Sequence, residues 1–338
     1  MQQNRFQQLR RFVLIGTIVA GAATVFGAWS CRGGYSGKVE SITIGMDSTA
    51  VNSLIYIAEG RGYFSENGLN VTVKEYASGK AAVDGMLRDE VEIATAAEFV
   101  IVGEAFKKES IRALANIDKF LHIYLIGRRD RGVGSVSDLK GKRIGVTLKT
   151  AAEFYLGRFL DLHGMNMRQV TLVDVSPPQS VDALVKGDVD AVIAWQPNVK
   201  AIEDRLGSGI VKWGAQKGQA AYCMVIGRGE WVAQHPEVIK RFSTALVQAE
   251  NYNASHPAQA KAIVQKRLHY DDSYMAEVQS EHQFSVSLDQ SLILAMEDEA
   301  RWMIKNNFTS EKTIPDFLNY IYVDGLKAVK PEAVNIIR

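Results

Sequence analysis

The sequence predicts an α/β fold in two lobes, on three observations. Short β-branched stretches alternate with helical stretches from Glu40 to Ile226, the pattern of a mostly parallel sheet with helices on its faces. From Glu230 the apolar period is helical almost to the end. A chain of 338 residues is long for one core and comfortable for two. A sheet, an inserted second sheet and helices returning to the first lobe require two crossings. They are expected near Gly127–Arg131 and Tyr222–Gly227, which assigns 40–128 and 224–338 to lobe 1 and 129–223 to lobe 2.

The N-terminus reads as an export segment over 1–30. Arg5, Arg10 and Arg11 precede an apolar or small-residue run from Phe12 to Ala28, at the short edge for a membrane span. Cys31 follows the small Ser30 and resembles a bacterial lipoprotein processing site, where the thiol is acylated. A cleaved secretory signal and an uncleaved anchor are the alternatives. The Gly- and Ser-containing stretch over 31–39 then reads as a lipidated tether. With Cys31 lipidated, Cys223 has no disulfide partner, and its apolar surroundings Ala220–Ile226 make it a small buried hydrophobe.

Glu40–Gly45 is β-branched and alternating, hence a strand. Asp47-Ser48-Thr49 caps a helix over Asn52–Arg61. Strands follow at Val71–Tyr76 and Val91–Thr95, with helices at Gly79–Asp89 and Glu98–Phe106. Ile111–Asn116 and Ile123–Gly127 are further strands. The stretch Val136–Asn198 is a βαβαβ unit: Ile144–Thr147, helix Thr150–Gly164, Val170–Val175, helix Ser180–Lys186 and Val189–Ala194. A short helix at Val199–Leu206 and strands at Ile210–Trp213 and Tyr222–Ile226 lead back out. Helices are expected at Pro236–Asn253, Pro257–Lys266, Ser273–Glu281, Asp289–Lys305 and Ile314–Asn319, and polar turns with a Pro-capped helix over Val323–Ile337.

Without residues 1–30 the charge balance is 36 basic to 38 acidic, and no basic stripe appears, so nucleic acid is excluded as a partner. The hydrolase elbow, the phosphate loop and a clean dinucleotide fingerprint are absent. The six histidines are scattered without metal spacing; each reads as a surface or cap residue, His282 as part of a solvated helix face. No metal or cofactor is expected.

Open parallel sheets bind ligands at the carboxyl ends of their strands. Four loops stand there: Asp47-Ser48-Thr49, Ala96-Ala97-Glu98-Phe99, Leu148-Lys149-Thr150-Ala151 and Trp195-Gln196-Pro197. Helices follow three of them within a few residues, leaving backbone amides free for an anion, and Thr49 and Thr150 add hydroxyls. Trp195 either lines a cleft or packs beneath its loop. Glu98 either caps helix amides or points into the cleft, where it favours a cationic or amine-bearing ligand.

Ile57-Ala58-Glu59-Gly60-Arg61-Gly62-Tyr63-Phe64 with Asn67-Gly68-Leu69, then Asp138-Leu139-Lys140-Gly141-Lys142-Arg143-Ile144-Gly145-Val146, Pro177-Pro178, Gly187-Asp188-Val189-Asp190-Ala191 and Trp195-Gln196-Pro197 together resemble the periplasmic substrate-binding proteins of ABC importers, in the nitrate/taurine/sulfonate- and thiamine-pyrimidine-binding group. The resemblance covers roughly 40–250. It implies a type II periplasmic-binding fold, two α/β lobes joined by two hinge strands with a helical C-terminal extension, closing on a ligand and docking on a permease. By motif position it places ligand contacts on Asp47, Ser48, Thr49, Asn52, Ala97, Glu98 and Phe99 in lobe 1, and on Lys149, Thr150, Trp195 and Tyr222. Asp47 and Glu98 would repel a bare anion such as nitrate unless Lys149 or helix amides outweigh them; taurine or a pyrimidine amine fits two acids better.

The resemblance thus implies a monomeric, membrane-anchored, exported receptor that hands a small polar ligand to an ABC permease. Two alternatives stand beside it: a pyrimidine-processing enzyme of the same fold, which the lone Cys223 disfavours because the eukaryotic pyrimidine synthases use a cysteine-rich motif, and a membrane-tethered sensing domain.

Overall fold

The structure, a computed structural model, describes residues 35–337; the expected export segment and Cys31 lie outside them. Two sheets carry the architecture. The chain opens with β1 (Glu40–Met46), β2 (Leu69–Glu75), β3 (Ile93–Ala97) and β4 (Ile111–Phe120). It enters the second sheet for β5 (Ile123–Arg128), β6 (Arg143–Val146), β7 (Thr171–Asp174), β8 (Ala191–Trp195) and β9 (Ile210–Gly214). It returns with β10 (Ala221–Arg228) and the two-residue β11 (His282–Gln283). The spatial orders are β11-β4-β10-β3-β1-β2 and β7-β6-β8-β5-β9.

Each sheet is more mixed than the alternation predicts. The βαβ parts are parallel, β1 with β2 and β3, and β6 with β7 and β8. The strands that enter or leave the crossings are antiparallel to their neighbours: β10 to β3 and β4, and β5 to β8 and β9. The crossings also lie earlier than expected. Ile123–Arg128 pairs along its length inside the second sheet, and Ala221–Cys223 already pair with β4 in the first. The chain therefore changes lobe at Leu121–His122 and across 215–220, not at Gly127–Arg131 and Tyr222–Gly227.

Gln216 explains why it changes there. This buried residue on the second crossing accepts from the Ile123 amide (2.9 Å) and donates to the Phe120 carbonyl (2.9 Å). It satisfies backbone groups on both sides of Leu121–His122, where one sheet ends and the other begins.

Local signals set the helices. Pro177–Lys186 starts earlier than its apolar pattern, because Ser176 and Gln179 form a capping box and Pro177 stands in the first turn. Gly187, at φ 81°, ends it. Ile314–Asn319 does not form the expected helix. Pro315 interrupts it, and Asp316 caps a 3₁₀ turn at Phe317–Tyr320 instead.

The helical tail packs back on lobe 1. Pro236–Ser255 lies against Ser53–Arg61, and Gln290–Lys305 against Glu98–Phe106. The second of these also reaches lobe 2. Trp302 meets Phe99 of lobe 1 (ring centroids 6.2 Å) and Phe154 of lobe 2 (5.5 Å) edge to face. Gly157 leaves room for the indole, since a Cβ there would stand 2.1 Å from it. Arg158 and Lys305 add pairs to Asp298 and Asp161 at 3.6 and 3.5 Å, worth little at their exposure. Among the described residues no helix is long and apolar enough to cross a membrane.

Trp302→Ala is expected to cost about 3–5 kcal/mol of stability, read from urea unfolding midpoints. Arg158→Ala, which removes one exposed pair beside it, is expected to cost under about 1 kcal/mol.

Candidate functional site

The carboxyl ends of β1, β3 and β8, the loop after β6 and the crossings meet at one cleft, with about 530 Å3 of empty space counting its open mouth. Its walls include Asp47, Thr49, Ala97, Thr150 and Trp195, five of the residues expected from sequence, and Ser78, Gly79, Lys80, Phe120, His122 and Cys223, which sequence reasoning missed. Ser78 and Gly79 follow β2, so the strand-end rule applied to that strand would have found them. Gly79 is required there: a Cβ would lie 2.7 Å from the Ala96 backbone.

Three helices begin at this cleft: Gly79–Leu87 after the Ser78 cap, Glu98–Phe106 after Ala97, and Ala151–Leu162 after Thr150. Their first-turn amides and dipoles make an anion-favouring wall. Asp47 supplies the opposite polarity. Its Oδ1 accepts from the Thr49 hydroxyl (2.8 Å) and from Asn52 Nδ2 (3.1 Å). Burial raises its carboxyl to about 6, against the lowering effect of those hydrogen bonds. Near pH 7 it is mainly a carboxylate, able to hold an ammonium. Trp195 and Phe120 give the cleft aromatic walls.

The other expected residues stand elsewhere. Ser48 is exposed. Asn52 is buried one layer down, where its Oδ1 accepts from the Thr95 hydroxyl (2.8 Å) while it braces Asp47. Phe99 belongs to the aromatic contact with Phe154 and Trp302. Lys149, at φ 62°, is turned outward; its backbone amide donates to Glu153 (2.8 Å). Tyr222 sends its hydroxyl to Ser291 (2.8 Å).

Glu98 neither faces the cleft nor carries a charge there. Its Oε2 accepts from the Tyr222 amide (2.9 Å), extending the β3–β10 ladder past Ala97. Burial raises its pKa, as it does that of Glu299, whose carboxylate oxygens have no partner. Asp47 is thus the acid of the cleft, and the expected repulsion between two acids and an anion is halved. The Cys223 thiol is buried, lies 3.9 Å from Asn52 Oδ1 and is pushed well above its usual pKa by burial, which opposes nucleophilic chemistry at the site. The histidines also differ from expectation. His122 and the His282 side chain are buried and 3.1 Å apart, joined by the fold across 160 residues of chain. Among the described residues no cluster of His, Cys, Asp or Glu suits a metal.

The raised carboxyls fix a pH dependence. Asp47, at about 6, and Glu281, raised by burial to about 7, hold protons in the folded state at pH values where the unfolded chain has lost them. Their stabilising protons are fully present below the unfolded values near 4 and lost as pH rises through 6 to 7. The chain is therefore expected to resist urea better at pH 5 than at pH 7.5. Asp47→Asn should narrow that difference by about 1–1.5 kcal/mol, the part of the linkage that falls between pH 5 and 7.5.

The comparisons with known proteins agree with this architecture. The taurine-binding periplasmic protein of Escherichia coli (strain K12) is 22% identical over 237 residues, 66% of this chain and 69% of that one. The alkanesulfonate-binding protein SsuA of Xanthomonas axonopodis pv. citri, solved bound to MOPS, superposes with a TM-score of 0.74 at 17% identity, covering 85% of this chain and 100% of its own. The desulfurization enzyme DSZB shares the fold at a TM-score of 0.63 and 16% identity, over 87% of this chain and 99% of that one, so the fold does not by itself divide receptors from enzymes. The periplasmic-binding fold expected from sequence is the fold observed. The family described as NMT1/THI5 like is matched over residues 50–260, and the chain belongs to that family.

Proposed function

We propose that this chain is an extracytoplasmic solute receptor, which captures a small sulfonate- or taurine-like organic ligand between its lobes and delivers it to an ABC importer. The observation that carries the reading is the polarity of the cleft. Three helix starts favour an anionic group while Asp47 favours an amine in the same cavity. A zwitterion satisfies both; nitrate satisfies only one.

The hinge supplies the mechanism. The lobes are connected through two short crossings, so a ligand touching both walls stabilises the arrangement in which both are near it. The Asp47 loop and the Ser78–Lys80 loop belong to one wall, Thr150–Ala152 and Trp195 to the other. A permease would then read the ligand-bound arrangement. The buried, protonated Cys223 supports binding over covalent turnover. The periplasmic location named for the taurine-binding relative supports export, and Cys31 after the apolar run supports a lipid anchor.

Taurine or an alkanesulfonate at a hundredfold over its Kd is expected to stabilise the folded chain by about 2.7 kcal/mol, seen as a rise in Tm. Trp195→Ala is expected to weaken the same ligand more than tenfold. No Tm change with taurine, methanesulfonate, nitrate or an aminopyrimidine would overturn the ligand class. For the anchor, Cys31→Ala is expected to move the protein from the membrane to the soluble fraction; a wild-type mass without an acyl adduct would remove the lipid.

A further inference from the structure

Asp118, His122 and His282 form a hydrogen-bonded row at the first crossing. Asp118 lies near the end of β4, His122 on the crossing, and His282 on β11, which pairs beside β4. The side chains of Asp118 and His282 are fully buried, and His122 is 2% exposed. Asp118 Oδ2 lies 2.5 Å from His282 Nδ1, and His282 Nε2 lies 3.1 Å from His122 Nδ1. His122 is itself a wall of the cleft. With Nδ1 engaged, Nε2 is the polar atom it has left to offer.

The direction of the row follows from its charge. The second oxygen of Asp118 is buried without a hydrogen-bond partner of normal geometry; burial raises its carboxyl against the lowering effects of His282 and the Gln283 backbone amide, and Lys119 beside it is committed to Asp289 at 2.9 Å. A lone carboxylate there would cost several kcal/mol, so the Asp118–His282 pair keeps a proton. If that proton makes His282 a cation, its Nε2–H donates to His122 Nδ1. If it sits on Asp118, the acid donates to His282 Nδ1, and the His282 hydrogen is again on Nε2, donating to His122. Burial and the neighbouring His282 charge keep His122 itself neutral. A neutral imidazole that accepts at Nδ1 carries its hydrogen at Nε2.

We propose that His122 is a ligand-binding residue, donating its Nε2–H into the cleft to an anionic oxygen, with Asp118 and His282 as the positioning residues that fix its tautomer. The assignment deepens the receptor reading and rests on it for the ligand: an organic sulfonate or carboxylate has the acceptor this donor needs, whereas a group with only N–H donors does not.

The row is reversible. When the pair loses its proton, His282 donates through Nδ1 to Asp118 and accepts at Nε2 from His122 Nδ1–H. His122 then turns a lone pair toward the cleft, and anion binding weakens. The other titratable groups facing the row are Cys223 on β10, paired with Asp118; Glu281, which accepts from the Tyr124 hydroxyl and is lowered by His282 against its burial; and Asp47 in the same cleft.

Imidazole 15N NMR of the full chain at pH 6 tests the assignment, with signals identified by H122Q and H282F. The expected result is a neutral His122 protonated at Nε2, whose Nε2 resonance shifts when taurine is added. H122F is expected to weaken taurine at least tenfold, and H122Q, which keeps an N–H, to weaken it less. H282F, which leaves His122 in place, should weaken taurine and release the fixed tautomer. An Nδ1–H tautomer at pH 6, or an Nε2 signal unmoved by saturating taurine, would overturn the proposal. Failure of the receptor's ligand class is read separately, as no Tm change with taurine or methanesulfonate in the wild-type chain; the tautomer still decides the polarity of His122.

Discussion

The two hydrogen bonds of Gln216 are the constraint on which the geometry of this protein depends. The first crossing is two residues long, and its flanking Phe120 carbonyl and Ile123 amide are served by one side chain from the second crossing. Left unpaired in the interior, each group would cost about 1–3 kcal/mol. The tie therefore holds both connections side by side and fixes where one sheet ends and the other begins. Phe120, His122 and Ile123 line the cleft from that same place. A ligand in the cleft sits on the joint as well as between the lobes.

The same economy governs the buried acids. Glu98 gives one oxygen to the Tyr222 amide and remains protonated beside the similarly raised Glu299. It acts as a neutral extension of the sheet. Asp47, by contrast, is braced by Thr49 and Asn52, and its carboxyl titrates within reach of neutral pH. Two carboxyls that look alike in sequence are separated by what surrounds them: one extends the sheet, and the other lines the cleft.

Much of the frame was legible because parallel strands and their following helices leave local marks. Apolar runs with turn residues at their ends located the sheets, and the strand-end rule reached Asp47, Thr49, Thr150 and Trp195. The crossings were not legible. Ile123–Arg128 is apolar enough for either sheet, and only its partners β8 and β9 decide. Lys149 was lost because it stands exposed in a turn, at a positive φ of 62°. His122 and His282 were lost because their relation spans 160 residues, and a helix-face pattern around His282 hides a two-residue strand. Residue type and spacing report local structure well; they say little about which buried polar groups the fold will bring together.

The C-terminal helix Gln290–Lys305 links these features across the molecule. Near its start, Ser291 meets the Tyr222 hydroxyl on β10. Near its end, Trp302 is seated over Gly157 of lobe 2, against Phe154 and Phe99. The helix packs on Glu98–Phe106, one of the three helices that begin at the cleft. Moving lobe 2 away from lobe 1 must therefore withdraw Phe154 and Gly157 from a large, buried indole, and the loss of that contact is an apolar cost separate from any ligand. The aromatic contact and a ligand touching both cleft walls would favour the same arrangement of the lobes, so their contributions add.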